Sequence, residues 1–432
     1  LFLLKISLFL LGLTSLMVIP EFNGFSTHHI FLLISLVLSL YLFFYKLIKT
    51  SIKFSFQELL VFAIGLVYYG STLLGALNSG QITGMLSSQI FIISFVLLFI
   101  LYKLDYRLIL ILLKGFVLSG IITSIYIILD TIYFYTGHFK SLNEVIFPDV
   151  FLGEIDHTLR NYFSLFGLIL FRPAGFSWDP GLTVTGVVLS VVIVLEKIIN
   201  FNHKRLFVFL MSLAILLSFS RTSIITLCIY FFIKIIKIDK IDIQFNSTIK
   251  ISTLNAIIIF YILFILIIGF LIPYNDTTPL SLGSIRHLKY FSSIFYYVYD
   301  FNNPFNLLFG YGYKGVGVFF NKNVDWLKET GNFIFGPGLN PECTLINIFF
   351  YGGTIGSIFW IYTFLLTLHY GDTKIKLLLF TLINLAYGYT INSVWFNILY
   401  SFIIVYVLRK RFAPRNWSWR INKENSFFHT YC

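Results

Sequence analysis

A succession of apolar runs, most of them about as long as a bilayer is thick, dominates this sequence. They cover residues 2–19, 29–48, 58–78, 84–102, 108–135, 181–199, 206–220, 222–238, 251–272, 343–368, 375–390 and 391–408. A hydrocarbon core of ~30 Å takes about 20 helical residues at ~1.5 Å each, so each run is long enough, or nearly so, to cross. A soluble globule is excluded. With 58% of 432 residues hydrophobic, 12% charged and a mean hydropathy of +0.86, there is too little polar residue to coat one. The runs lack the period-two alternation of barrel strands, and a helix is the other way to satisfy every backbone group in lipid. The expected fold class is an all-α polytopic membrane protein with about twelve transmembrane helices, within a range of 11–13. The first run resembles a secretory leader, but no small-x-small cleavage site follows it and Pro20-Glu21 is a poor one, so it is expected to be the first span. The short runs 206–220 and 222–238 could instead form one long kinked helix, which would invert everything after them.

Charge arbitrates. The chain carries 31 Lys and Arg against 19 Asp and Glu, a net charge of +12, and basic residues of a membrane protein collect on the cytoplasmic side. With twelve spans and both termini inside, one side receives Lys5, Lys46/Lys49/Lys53, Lys103/Arg107, Lys197/Lys204/Arg205, Lys234/Lys237/Lys240/Lys250, Lys374/Lys376 and the group from Arg409 to Lys423. That is 21 of the 31. Lys114 falls within a span, and the other nine lie in two long loops and one tight turn. The sorting accounts for most of the basic excess, so no nucleic-acid partner is expected. Cys228, Cys343 and Cys432 are scattered, which indicates neither a disulfide framework nor a metal knuckle.

The resulting organisation is five helices over 1–135, a first external loop over 136–180, four helices over 181–272, a large external loop over 273–342, three helices over 343–408 and a basic tail over 409–432. Both loops are too long to be simple connections, and their aromatic residues argue for packed or substrate-stacking surfaces. Residues 284–299 have helical periodicity and are expected to lie along the interface. The apolar stretch 162–171 is too short to cross and should dip into the outer leaflet or pack on the bundle. No repeat of 20–50 residues is present, nor an inverted pair of Gly/Pro-broken spans.

Ionisable residues at the mouth of a helical bundle are candidates for function, because exposing them to lipid is costly. Arg172 opens the stretch Arg172-Pro-Ala-Gly-Phe-Ser-Trp-Asp-Pro-Gly181, whose two prolines and two glycines impose a rigid turn. Asp179 reads first as the N-cap of the following helix, with Pro180 at its first position, and second as a candidate site residue. Arg221, in Ser218-Phe-Ser-Arg-Thr-Ser223, stands in a short external turn where snorkelling to headgroups is the alternative. Arg286, beside His287 and Lys289, could equally belong to a solvated basic face. Glu342 sits where the large loop re-enters the bilayer, a place also suited to compensating a helix dipole. Converging arginines present fork-shaped donors that match phosphate oxygens and stay charged in a partly dry site. With Trp178 and Tyr313 available to stack on sugar rings, such a cluster suits a lipid diphosphate carrying a saccharide.

At these residues the chain resembles the O-antigen polymerase and O-antigen ligase superfamily of bacterial inner-membrane glycosyltransferases. The likeness rests on residues 172–181, Ser-Arg-Thr-Ser at 220–223, Leu-Phe-Gly-Tyr-Gly at 308–312, and the loop exit at 341–356 ending in Gly-Gly-Thr-Ile-Gly. The plan of many spans followed by one large periplasmic loop before the last helices also matches. The resemblance implies a GT-C-like helical fold and a glycan transfer that needs neither metal nor other cofactor. Donor and acceptor would be undecaprenyl-diphosphate-linked oligosaccharides embedded in the lipid bilayer, with a chain-length regulator as a further candidate partner. It also implies a periplasmic site with both termini cytoplasmic, diphosphate binding by Arg172, Arg221 and Arg286, and Glu342 as the base. The ligases place a histidine near the exit of the large loop. Glu342 occupies the matching region here, which favours a polymerase. The alternatives are a ligase that transfers polymer to lipid A core and a lipid-linked glycan transporter.

Overall fold

Apolar runs become helices here because nothing else satisfies their backbone in lipid. The structure is a computed structural model and describes residues 1–17, 21–22, 25–50, 52–80, 82–146, 162–165, 168–176, 180–237, 242–244, 250–271, 303–312, 344–385 and 393–412. Among them are α1 (Phe2–Thr14), α2 (Thr27–Lys49), α3 (Phe56–Asn78), α4 (Ile82–Leu104), α5 (Tyr106–Tyr133) and the short α6 (Leu142–Ile146). There follow α7 (Pro180–Leu195), α8 (Lys204–Leu217), α9 (Arg221–Ile236), α10 (Thr253–Leu271), the short α11 (Pro304–Phe309), α12 (Thr344–Tyr370), α13 (Thr373–Leu385) and α14 (Val394–Phe412). By length and composition α2, α3, α5 and the Ile348–Tyr370 part of α12 can each cross a membrane, and four shorter apolar helices accompany them. The chain is a helical membrane protein. Residues 206–220 and 222–238 correspond to two helices, α8 and α9, parted at residues 218–220, rather than to one kinked helix. The stretch 162–171 forms an antiparallel hairpin, β3 (Tyr162–Leu165) with β4 (Leu168–Phe171); smaller pairs join β1 (Glu21–Phe22) to β2 (Phe25–Ser26) and β5 (Asp242–Gln244) to β6 (Lys250–Ser252).

Polar contacts reveal which helix ends lie together. Glu58, at the start of α3, is fully buried and pairs with Lys103 at the end of α4 across 2.7 Å, while the Tyr102 hydroxyl donates to it at 2.6 Å. The Lys103 ammonium also reaches the Lys53 carbonyl (3.0 Å), and Lys46, near the end of α2, donates to the carbonyls of Lys103 and Leu104. Arg409 of α14 stacks on Tyr106, the first residue of α5, at 3.8 Å. Glu196, just past α7, accepts from Tyr230 (2.6 Å) and pairs with Lys234 (3.1 Å), both in α9. These contacts gather basic residues at one end of the bundle, below called the cationic end. Cations at helix C-termini are favourable there, because they face the carbonyls the helices leave open.

Two helices are enclosed. From Thr183 to Val194 every residue of α7 is buried, as is almost all of α14 from Val394 to Leu408. A helix apolar on all sides belongs inside. Around α14, Tyr68, Phe91, Phe359, Trp360 and Tyr400 form an aromatic cluster from α3, α4, α12 and α14, with Tyr68 edge-on to Phe91 at 4.8 Å. α1 crosses α5 closely, where a side chain on Gly12 or Gly115 would strike the other helix's backbone. Small residues permit such contacts without a hydrophobic driving force between helices. Large apolar side chains of α2, α9 and α10 face outward, as a lipid-facing surface requires.

Two predictions follow from the polar contacts. Glu58→Ala strands the buried Lys103 ammonium and should cost about 3–5 kcal/mol, whereas the Glu58→Leu/Lys103→Met pair should recover most of that loss; thermal unfolding in detergent reads both. Asp372, between α12 and α13, would have its pKa raised by burial. Hydrogen bonds from the Tyr406 hydroxyl, the Ile375 amide and the Lys410 ammonium outweigh that and hold it below the usual 3.8. A depressed carboxyl stabilises the fold above its unfolded value and loses that contribution as pH falls through the folded one. Unfolding followed from about pH 6 to 3 should therefore show a shallower acid loss for Asp372→Asn than for the parent.

Candidate functional site

The end opposite the cationic one holds the C-termini of α3, α5 and α8 and the N-termini of α7, α9 and α12. Antiparallel packing of α5 and α7 establishes this for the Arg172 segment: Gly120 meets Ser190 midway along, and Gly175 meets Thr123, Ile127 and Thr183 nearer the end. Arg172 directly follows β4 and is half-buried. Before it, the Phe171 amide donates to the Tyr135 hydroxyl (3.2 Å) and the Phe171 ring stacks on Phe134 at 4.4 Å. After it, the Gly175 carbonyl accepts from the Asn143 amide group (2.7 Å), and the Phe176 ring meets Tyr126 at 4.2 Å. The Asn143 side-chain oxygen accepts from the Tyr126 hydroxyl (2.7 Å). Buried Asp130 takes the Leu142 amide (2.7 Å) and the Ser141 hydroxyl, which fixes the turn that carries Asn143. Arg172 is thus held on both sides by contacts to the end of α5.

Arg221 occupies a different setting. It is the first residue of α9 and is exposed. The turn before it is closed by serines: Ser218 Oγ donates to the Ile215 carbonyl (2.7 Å), the Ser220 amide to Ser218 Oγ (3.3 Å) and Ser220 Oγ to Ser223 Oγ (2.9 Å). The serines order the backbone while the arginine projects. Arg172 and Arg221 therefore stand at the same end of the bundle, on neighbouring hairpins. Trp178, Asp179, Arg286, Tyr313 and Glu342 lie outside the described residues. Among the described residues no group of three His, Cys, Asp or Glu is placed to hold a metal ion.

The return of the large loop is built around a break in α12. Gly353 has φ 61° and ψ −163°, which interrupts the helix after its first nine residues. The carbonyls of Phe350 and Tyr351 thereby lose the partners one turn on. The amides of Tyr311 (2.6 Å) and Gly312 (3.1 Å) replace them, and Thr354 Oγ1 donates to the Leu307 carbonyl (2.9 Å). The fit is close: a Cβ at Gly310 or at Gly353 would meet the other segment's backbone at 2.5 Å. α3 completes the latch, with Asn78 donating to Asn306 (2.6 Å) and Ser79 to the Tyr311 carbonyl (2.9 Å). Leu-Phe-Gly-Tyr-Gly at 308–312 and Gly-Gly-Thr-Ile-Gly at 352–356 are two halves of one joint. Gly352 and Gly356 of the second also lie close against the Tyr68 ring of α3.

Sequence reasoning missed Asp130, Asn143 and this break. A carboxylate inside the fifth apolar run was a usable signal for Asp130. Nothing local marks Asn143, whose partners are 17 and 32 residues away.

Comparison with family models, with curated proteins and with solved structures yields no match.

The joint generates a prediction. Ala at Gly353 or Gly310 adds both left-handed strain, about 1–2 kcal/mol, and a backbone clash. Gly80 also has positive φ but open space around its Cβ position. Gly80→Ala should lower the melting temperature slightly, and Gly353→Ala and Gly310→Ala clearly more.

Proposed function

We propose that the chain is a polysaccharide polymerase of the bacterial inner membrane that transfers a growing undecaprenyl-diphosphate-linked glycan onto a new lipid-linked repeat unit. In this reading the twelve longer helices are twelve crossings, the cationic end faces the cytoplasm and the opposite end faces the periplasm. Support comes chiefly from one observation: Arg172 and Arg221, far apart in sequence, both stand at the end away from the cationic one. Arg172, Arg221 and Arg286 would grip the donor diphosphate. Asp179, Trp178 and Tyr313 would orient the sugars.

In the reaction, an acceptor hydroxyl oxygen forms a bond to the anomeric carbon as the bond to the diphosphate oxygen breaks. The electron pair leaves with the diphosphate, which preorganised cations stabilise in place of a general acid. The hydroxyl proton passes to the Glu342 carboxylate. Attack opposite the leaving group inverts the anomeric centre.

A second reading, a transporter of the same lipid-linked glycan, draws on the broken α12, since interrupted helices line many transport sites. The carbonyls at this break are occupied by Tyr311 and Gly312, which makes it a loop anchor rather than an ion site. A ligase would share the chemistry and differ in acceptor.

In reconstituted vesicles supplied with lipid-linked repeat units, Arg172→Ala, Arg221→Ala and Glu342→Gln should each slow elongation by roughly 10²–10³-fold. Normal elongation by all three variants would sink the enzyme assignment. Repeat units moved across the bilayer without extension would establish the transporter. Deleting the gene should leave single-repeat product on the surface, whereas polymer stranded on undecaprenyl diphosphate would mean a ligase.

A further inference from the structure

The cationic end carries a cleft of about 170 Å³ where four separate elements meet. Lys197 enters from the α7–α8 connection, Lys374 from the start of α13, Arg409 from the end of α14, and the Tyr106 and Tyr406 rings complete the wall. An adjoining hollow of about 720 Å³ shares Lys197 and adds His203, Lys204 and Arg205. We propose that this cleft binds a phosphate group, carried by an anionic lipid headgroup of the adjacent leaflet or by a free soluble anion.

Three features carry the assignment. First, the cations are positioned by structure. Arg409 is stacked on Tyr106 at 3.8 Å, and Lys197 sits in the left-handed closure of α7, where the Ile198 amide reaches the Ile193 carbonyl (3.1 Å) and the Lys197 amide the Val194 carbonyl (3.2 Å). Second, nearby carboxylates are already engaged. Asp372 accepts from Tyr406 (2.7 Å), Lys410 (3.1 Å) and the Ile375 amide (3.1 Å), and Glu196 is held by Tyr230 and Lys234. Asp105 caps α5 by accepting the Arg107 amide (2.9 Å). Among the described residues the ammonium groups of Lys197 and Lys374 have no hydrogen-bond or ion-pair partner. Third, Lys197, Lys374 and Arg409 reach the cleft from three separate elements, so the cations converge on one space rather than line a single exposed helix face. An arginine fork with flanking lysines matches phosphate oxygens, and basic pockets between transmembrane helices take lipid headgroups. The assignment is independent of the enzyme reading, since the residues are at the other end of the bundle.

Thermal unfolding of the full chain in nanodiscs tests it, because a ligand that binds only the folded state raises the melting temperature. Three samples are compared: phosphatidylcholine alone, phosphatidylcholine with phosphatidylglycerol, and phosphatidylcholine with millimolar inorganic phosphate. The parent should melt higher in at least one of the last two. A gain confined to phosphatidylglycerol assigns the phosphate to lipid, and a gain with inorganic phosphate assigns it to a soluble anion. Lys197→Gln/Lys374→Gln should lose most of the gain, and Lys197→Arg/Lys374→Arg should keep it. Lys49→Gln/Lys237→Gln, exposed cations that do not line either hollow, should also keep it. Should the first pair fail to fold, Lys374→Gln alone, at an exposed position, carries the same comparison. No gain for the parent, or equal loss in the Lys49/Lys237 control, overturns the proposal.

Discussion

A bilayer interior offers no water, so every backbone amide and carbonyl that leaves a helix there must find another partner inside the protein. The break in α12 is where this constraint acts most visibly. Gly353 opens the helix, and residues 311 and 312 of the large loop supply the missing donors. The loop is thereby tied to the membrane body at a fixed register, and α3 holds the tie from the other side through Asn78 and Ser79. Residues 303–312 are set against α12 and α3.

The two ends of the bundle are built by different means. At the cationic end, charge is paired, capped or stacked: Glu58 with Lys103, Asp372 with Lys410, Arg409 on Tyr106. At the opposite end, neutral groups set the backbone, through Asn143, Tyr126 and the serines of the α8–α9 turn, with Asp130 accepting inside that network. Among the described residues Arg172 and Arg221 stand at that end, and the backbone beside them is fixed directly by uncharged groups.

Much of the helical plan was readable in the sequence because hydropathy is a one-dimensional signal. A run such as 58–78 has one stable form in lipid, and α3 occupies nearly the same residues. The placement of Arg172 and Arg221 between the apolar runs was also legible, since an arginine beside a bilayer stands out against its neighbours, and the separation of α8 from α9 agrees with the sorting of charge. The latch was not. Gly352-Gly353 is compatible with tight packing and with a kink, and the choice depends on residues some forty positions earlier. The hairpin at 162–171 was hidden for a related reason: a short apolar stretch does not declare its partner. Asn143 was silent because a buried amide is defined by what surrounds it.

The enclosure of α14 has a consequence for assembly. This helix comes after the other described helices in the chain, yet it fills the space between α3, α4, α12 and α13, with its residues from Val394 to Leu408 nearly all hidden. Insertion from the ribosome is sequential, so the earlier helices must stand in the bilayer around an unfilled slot until this segment is delivered. A nascent protein stalled short of residue 394 would therefore lack the helix that α3, α4, α12 and α13 enclose.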